Sequence, residues 1–263
     1  MEKKRTLSFS LSQEELFVAL RYLNILMMEG LDNKILAELN EREQKLVLGA
    51  AERSLVARGF LIPNMDHKFT LSDPVLALII SCARPEKSII INSTIPNGPR
   101  QTIYFHSARK MRVMHTIPII AIHQFIAVED DLAFGKAILS LLRLSEIKSN
   151  KSQEGKVIAG NLLAARDSAL AGNLDKAIKM LSKTLDPGTA ENLAEAFAHP
   201  ILYSDIQYIP KNTGRDRQTS FSIVQGKSSL WLLDGHDLDH APSKEVHIHS
   251  VSSDELAQKI KSF

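Results

Sequence analysis

Four histidines and two aspartates crowd one short stretch of the chain: His236-Asp237-Leu238-Asp239-His240, followed by His247 and His249. Imidazole nitrogens and carboxylate oxygens are ligands for zinc and other borderline divalent metals. His247 and His249 stand two apart, so on a strand they share a face and can converge on one ion. A solvated polar loop contains the same residue types. The metal-dependent enzyme this loop would suit is therefore an alternative, not the main expectation.

A second group is basic. Arg100, Arg109, Lys110 and Arg112 surround Tyr104 and Phe105, a mixture that an oligonucleotide surface would use for phosphates and bases. A solvated hairpin turn has the same composition. Trp231, the single tryptophan, lies near Arg217 and is flanked by Leu230, Leu232 and Leu233. Exposed, it would anchor a protein interface; buried, it would join the core. His106, His115 and His123 fall among Ile, Val and Met and are expected to be hydrogen-bonded core histidines. No Gly-x-Ser-x-Gly elbow and no glycine-rich phosphate cradle occurs, and Cys82 reads as core packing. No catalytic residue and no cofactor are assigned.

The bulk composition narrows the classes further. Of 263 residues 44 % are hydrophobic and 24 % charged, as in ordinary globular chains. Thirty-two basic against thirty acidic side chains leave +2, which favours neither a polyanion clamp nor a membrane-surface protein. One cysteine excludes an intramolecular disulfide and a Cys-rich zinc site. The most apolar runs, around Val75–Ile80 and Ile117–Ile122, are far short of the roughly 20 residues that span a bilayer. No membrane insertion is expected, and the chain is expected in the cytoplasm.

The elements that must position these residues follow from periodicity. Ser12 with Glu15 forms a capping box, and Leu16, Leu20, Leu23 and Met27 predict an amphipathic helix ending near Gly30. A second helix is predicted over 38–57 with Gly59 as its C-cap, and a third from Ser72 or Asp73 to just before Pro85. Strands are then predicted at 88–91, 102–106, 112–116 and 119–128, followed by a helix through Leu142. The second half repeats that order: helices over 154–171, 174–185 and up to about 198, strands near 205–209, 219–224, 229–233 and 245–251, and a closing helix.

Residue matches accompany the repeated order. Pro85 and Pro200 end helices 115 residues apart, Arg100-Gln101-Thr102 and Arg217-Gln218-Thr219 open hairpins 117 apart, and Ile122-His123 parallels Ile248-His249. The fold class is therefore α+β: two pseudo-two-fold, duplicated helix–antiparallel-sheet units, residues 1–145 and 146–263, with helices flanking the sheets. Residues 12–83 also read as a winged-helix-like segment, the basis of a second alternative, a DNA-binding regulator. Its recognition helix would mix Glu41, Glu43 and Glu52 with Arg42, Lys45, Arg53 and Arg58, so nucleic acid is not the favoured partner.

The leading Leu11-Ser12-x-x-Glu15-Leu16, the helix end Ala51-Glu52-Arg53-Ser54-Leu55-Val56-Ala57-Arg58-Gly59-Phe60-Leu61, the Ala83-Arg84-Pro85 stop and the Leu193–Pro200 helix end together resemble one family. It is that of the secretion-associated chaperones of type VII (ESX) systems, the EspG-like fold. The resemblance implies a cytosolic, non-enzymatic adaptor or chaperone that binds a small helical secreted partner. It implies a binding surface at the hairpins, over Arg100–Met114 and Arg217–Trp231. On it, Arg100, Arg109, Lys110, Arg112, Arg217 and Trp231 are the candidate protein-binding residues. His236, Asp237, Asp239, His240, His247 and His249 are the candidate metal ligands. The partner's identity and the oligomeric state are not fixed by the sequence.

Overall fold

The computed structural model describes residues 7–65, 68–94, 98–142, 153–211, 219–235 and 242–261. In chain order the first half comprises β1 (Ser8–Ser12), α1 (Gln13–Tyr22), α2 (Lys34–Ala37), α3 (Glu41–Ala57), β2 (Leu61–Pro63), β3 (Phe69–Leu71), α4 (Asp73–Ala83), β4 (Lys87–Thr94), β5 (Gln101–Ala108), β6 (Met111–Ile119), β7 (Ile122–Val128) and α5 (Asp131–Leu141). The second comprises β8 (Glu154–Ile158), α6 (Ala159–Leu170), α7 (Leu174–Leu181), α8 (Pro187–Ala198), β9 (Leu202–Pro210), β10 (Thr219–Gln225), β11 (Leu230–Asp234), β12 (Glu245–Ser250) and α9 (Ser253–Lys261). The fold is mixed α+β. Its main sheet is paired in the order β1-β7-β6-β5-β4-β9-β10-β11-β12-β8, and β2 and β3 form a separate two-stranded hairpin. Two compact units are distinguishable: 1–89 with 103–134 and 210–212, and 90–102 with 135–209 and 213–263.

In the first unit the chain passes from β1 into α1 without a loop. Ser12 pairs with Ile122 as the last residue of β1 and also N-caps α1. Its hydroxyl accepts from the Glu15 N–H at 3.2 Å, and the Glu15 carboxylate accepts from the Ser12 N–H at 2.9 Å, the reciprocal capping box. Glu15 is buried and also accepts from Ser54 Oγ and Arg58 Nη1, each at 2.7 Å. Burial alone would raise its pKa; the hydrogen bonds from Ser54, Arg58 and Ser12 overcome that and hold it below the ordinary value. One carboxylate thus joins strand, helix and α3.

The helix ends follow local chemistry. Helix α1 stops at Tyr22, earlier than the apolar spacing predicts, because Asn24 turns left-handed at φ 52°. Asn24 N–H bonds Arg21 O and Ile25 N–H bonds Leu20 O, a Schellman closure with asparagine in the usual glycine position. Met27 therefore lies outside the helix, exposed rather than core-facing. Helix α3 closes the same way at Gly59, as predicted, but begins at a second capping box, Asn40 with Glu43. Leu11, Leu16, Leu55, Leu78, Ile79, Val113 and Phe125 form the core between helices and sheet, and Cys82 is buried in it.

The second unit has the same plan. Residues 154–158, predicted as the start of a helix, form β8 instead, pairing with β12. Helix α6 follows at once, again without a loop. Helices α6, α7 and α8 pack on Val157, Val224, Trp231, Leu233, Val246 and Ile248. Helices α4 and α8 end alike, with Arg84 at φ −133°, ψ 58° before Pro85 and His199 at φ −130°, ψ 59° before Pro200.

Backbone hydrogen bonds match across the halves. Gln13 N–H bonds Ala121 O and Ala159 N–H bonds Lys244 O, both at 2.8 Å. Ala127 N–H bonds Leu7 O and Ser250 N–H bonds Gln153 O, also at 2.8 Å. Glu86 N–H bonds Ser107 O and Ile201 N–H bonds Gln225 O, at 2.7 Å. These registers set Val246, not His249, in the place of His123, and Leu233 in the place of His115. The Ile122-His123 and Ile248-His249 likeness in the sequence is three residues out of step. Among the described residues no helix is long and apolar enough to cross a membrane.

Because Glu15 satisfies three donors at once, its loss leaves several of them unpaired. Glu15→Ala should lower unfolding free energy by about 2–4 kcal/mol, against about 1 kcal/mol for Ser12→Ala. Urea unfolding of both variants checks the ratio; equal losses would mean that only the cap matters.

Candidate functional site

The β5–β6 turn presents the basic group. Ala108 pairs with Met111, so Arg109 and Lys110 form a two-residue loop. Both are exposed, and Arg109 is held at φ 51°, the left-handed region that favours glycine. Arg112 has a different role: its guanidinium ion-pairs with Asp131 (Nε to Oδ1, 2.6 Å) and donates to the carbonyls of Arg109 and Met111 at 2.9 and 3.1 Å. That hydrogen bond and the Arg112 charge hold the Asp131 carboxyl below its ordinary pKa. Arg112 therefore braces the turn that displays Arg109 and Lys110. Arg100 is exposed in the segment leading into β5, and Arg217 lies outside the described residues.

Trp231 is not an exposed anchor. It is fully buried, its indole Nε1 donating to Ser229 Oγ at 3.1 Å. All of Leu230, Leu232 and Leu233 are buried with it, because this strand is covered on both faces. Exposed apolar side chains occur instead at the β6–β7 turn, where Ile119 is 67 % and Ile120 91 % exposed and Ala121 takes φ 62°. The Ile and Val richness of 119–128 obscured that turn, which interrupts the single strand predicted there.

Of the candidate metal ligands, His236, Asp237, Asp239 and His240 lie outside the described residues. His247 and His249 do share a face of β12, and the structure adds a neighbour that the sequence reading missed, Asp234 on β11, the cross-strand partner of His247. Asp234 accepts from Lys259 Nζ at 2.8 Å, and its other oxygen is 3.9 Å from His249 Nδ1. Burial lowers the His249 pKa, with Lys259 and His247 acting in the same direction and Asp234 opposing them.

The three core histidines form a buried polar row in the first unit. Gln13 Nε2 donates to Asp32 O at 2.6 Å, which leaves Gln13 Oε1 to accept from His123 Nε2 at 2.7 Å. His123 Nδ1 must then accept from His115 Nε2, at 2.9 Å, and His115 Nδ1 is a bare lone pair with no hydrogen-bond partner. His106 Nδ1 bonds Ser88 Oγ at 2.8 Å. The His115 ring stacks between Tyr104 (5.1 Å) and Phe125 (4.8 Å). Gly30, at φ 84°, lies against this stack; a Cβ there would meet Tyr104 at 2.8 Å. All three rings are fully buried, so the row packs as a hydrogen-bonded part of the core. At the positions matching Gln13, His115 and His123 the second unit has Ala159, Leu233 and Val246, all buried.

No protein-family profile and no curated protein matches the sequence. A solved structure matches the fold. It is that of the Mycobacterium tuberculosis type VII secretion system chaperone EspG5 in complex with the PE25-PPE41 dimer, with a TM-score of 0.62 at 10 % identity. The match covers 97 % of this chain and 94 % of that chain. At such identity the likeness is one of fold, and at that level it bears out the EspG-like resemblance carried by the helix ends.

Burial lowers all three histidine pKa values, His106 and His123 to about 4. A group whose folded pKa lies below its unfolded value stabilises the fold above the unfolded pKa and less at lower pH. Stability should therefore be full above about pH 6.5 and fall towards pH 4, by on the order of 3 kcal/mol for a histidine such as His106. The variant Gln13→Ala/His115→Leu/His123→Val, which copies the second unit, should show a shallower fall. Urea midpoints between pH 7 and 4.5 measure the slope; identical slopes would contradict the assignment.

Proposed function

We propose that the chain is a non-enzymatic protein-binding adaptor or chaperone, acting in the cytoplasm on a small helical secreted partner. The observation that carries this reading is the end-to-end fold likeness to a chaperone solved with its bound dimer. The β5–β6 turn supplies the surface. Arg109 and Lys110 place two cations at a rigid tip, Arg112 and Asp131 brace it, and Arg109 keeps a backbone conformation that costs a non-glycine residue about 1 kcal/mol. Such strain at an exposed turn supports selection for the side chain rather than for the fold. The cations suit the carboxylates and C-terminal carbonyls of a helix tip. Arg100 precedes the first residue of β5, at the end of that strand away from the turn, and is not part of this surface.

The matching element orders, strand orders and backbone registers further support reading residues 1–145 and 146–263 as a duplicated unit. On that reading the histidine row and the basic turn are specialisations of the first copy.

Affinity capture of the tagged chain from its own host at low salt, with mass spectrometry, should return a near-stoichiometric small helical protein. Arg109→Gly separates the two roles of that residue: it should stabilise the chain by about 0.5–1 kcal/mol while weakening partner binding about tenfold. Capture of no such partner, or an Arg109→Gly variant that binds undiminished, would remove the function or its surface respectively.

A further inference from the structure

Strands β11 and β12 gather Asp234, His247 and His249 so that one ligand atom from each lies within 4.8 Å of the others. The two imidazole rings are 5.5 Å apart on one face of β12, and Asp234 faces them from the neighbouring strand. His249 Nδ1 is buried and has no hydrogen-bond partner. The nearest carboxylate oxygen, on Asp234, is 3.9 Å away, beyond hydrogen-bond reach. A buried acceptor or donor left open costs free energy, and here it is aimed at a carboxylate with a second imidazole alongside.

From this geometry we propose that Asp234, His247 and His249 bind one divalent transition-metal ion of the zinc class. Two imidazoles with one carboxylate suit borderline dications, whereas magnesium and calcium take all-oxygen sets. Zinc bonds of about 2.0–2.2 Å place neighbouring donor atoms roughly 3.3 Å apart, so side-chain rotation closes the site. Three protein ligands leave a fourth position for water. Lys259 of α9 is the built-in competitor: its ammonium holds Asp234 Oδ1 at 2.8 Å, and a dication would displace it. Metal binding therefore exchanges a tie between β11 and α9 for one between β11 and β12. This site is independent of the partner-binding surface proposed above.

The test uses the untagged, metal-stripped full chain. Equilibrium dialysis against zinc should show one ion per chain, and cobalt should give the visible absorption of a four- or five-coordinate site. Asp234→Asn, His247→Gln and His249→Gln should each weaken zinc binding at least tenfold and together abolish the cobalt band, with unchanged far-UV circular dichroism. Lys259→Gln should tighten binding several-fold, a gain that misfolding cannot produce. His236→Gln/His240→Gln should retain the ion. The proposal is overturned by absence of zinc uptake, by uptake indifferent to the three ligand substitutions, or by uptake lost with His236 and His240 alone. Lys259→Gln binding no tighter than wild type would overturn the competitor role of the lysine.

Discussion

The first unit is organised around a single buried carboxylate. Glu15 accepts from the Ser12 backbone, from Ser54 and from Arg58, so strand β1, helix α1 and helix α3 meet at one pair of oxygens. A carboxylate taken from water is costly unless such donors surround it. The requirement runs outward. Ser12 must serve strand and helix together, α1 must start directly over the sheet, and Gln13 must project onto the strand beside β1. There its amide sets the direction of the hydrogen bonds from His123 and His115.

The second unit shows that the backbone plan does not need that chemistry. Ile158 stands where Ser12 does and makes no side-chain cap, and α6 starts over β8 with backbone hydrogen bonds and apolar packing. The same registers hold in both. Backbone pairing thus sets the architecture, while interior side chains are interchangeable between a directional polar row and a non-directional apolar cluster. The polar version adds orientation and acid sensitivity; the apolar version adds contact area.

What was legible in the sequence was mostly local. The Ser12–Glu15 box, Gly59, Pro85 and Pro200 announce helix ends because a cap or a stop depends on residues a few positions apart. Strands β1 and β8 were missed because each is five residues long, pairs with a strand far along the chain, and runs straight into a helix whose periodicity swallows it. The register of β12 was misjudged because matching histidines suggested a spacing that hydrogen bonds do not obey. Period-two reasoning could not choose between an exposed and a buried Trp231 because a strand covered on both faces has no polar alternation to read. Asp234 was invisible beside His247 for a plainer reason: cross-strand neighbours are not sequence neighbours.

The pairing of β1 with β7 also sets a schedule. Leu11 lies opposite His123, so the strand leaves the ribosome long before its partner is made. At about 5–20 residues per second that wait lasts several seconds to tens of seconds. The α1 cap can form in the interval, but its polar side chains have nothing to face until the meander is complete. Val157 waits likewise for Val246. Each half of the chain is therefore closed by its earliest strand, and an unfinished chain carries an open sheet edge for most of its synthesis.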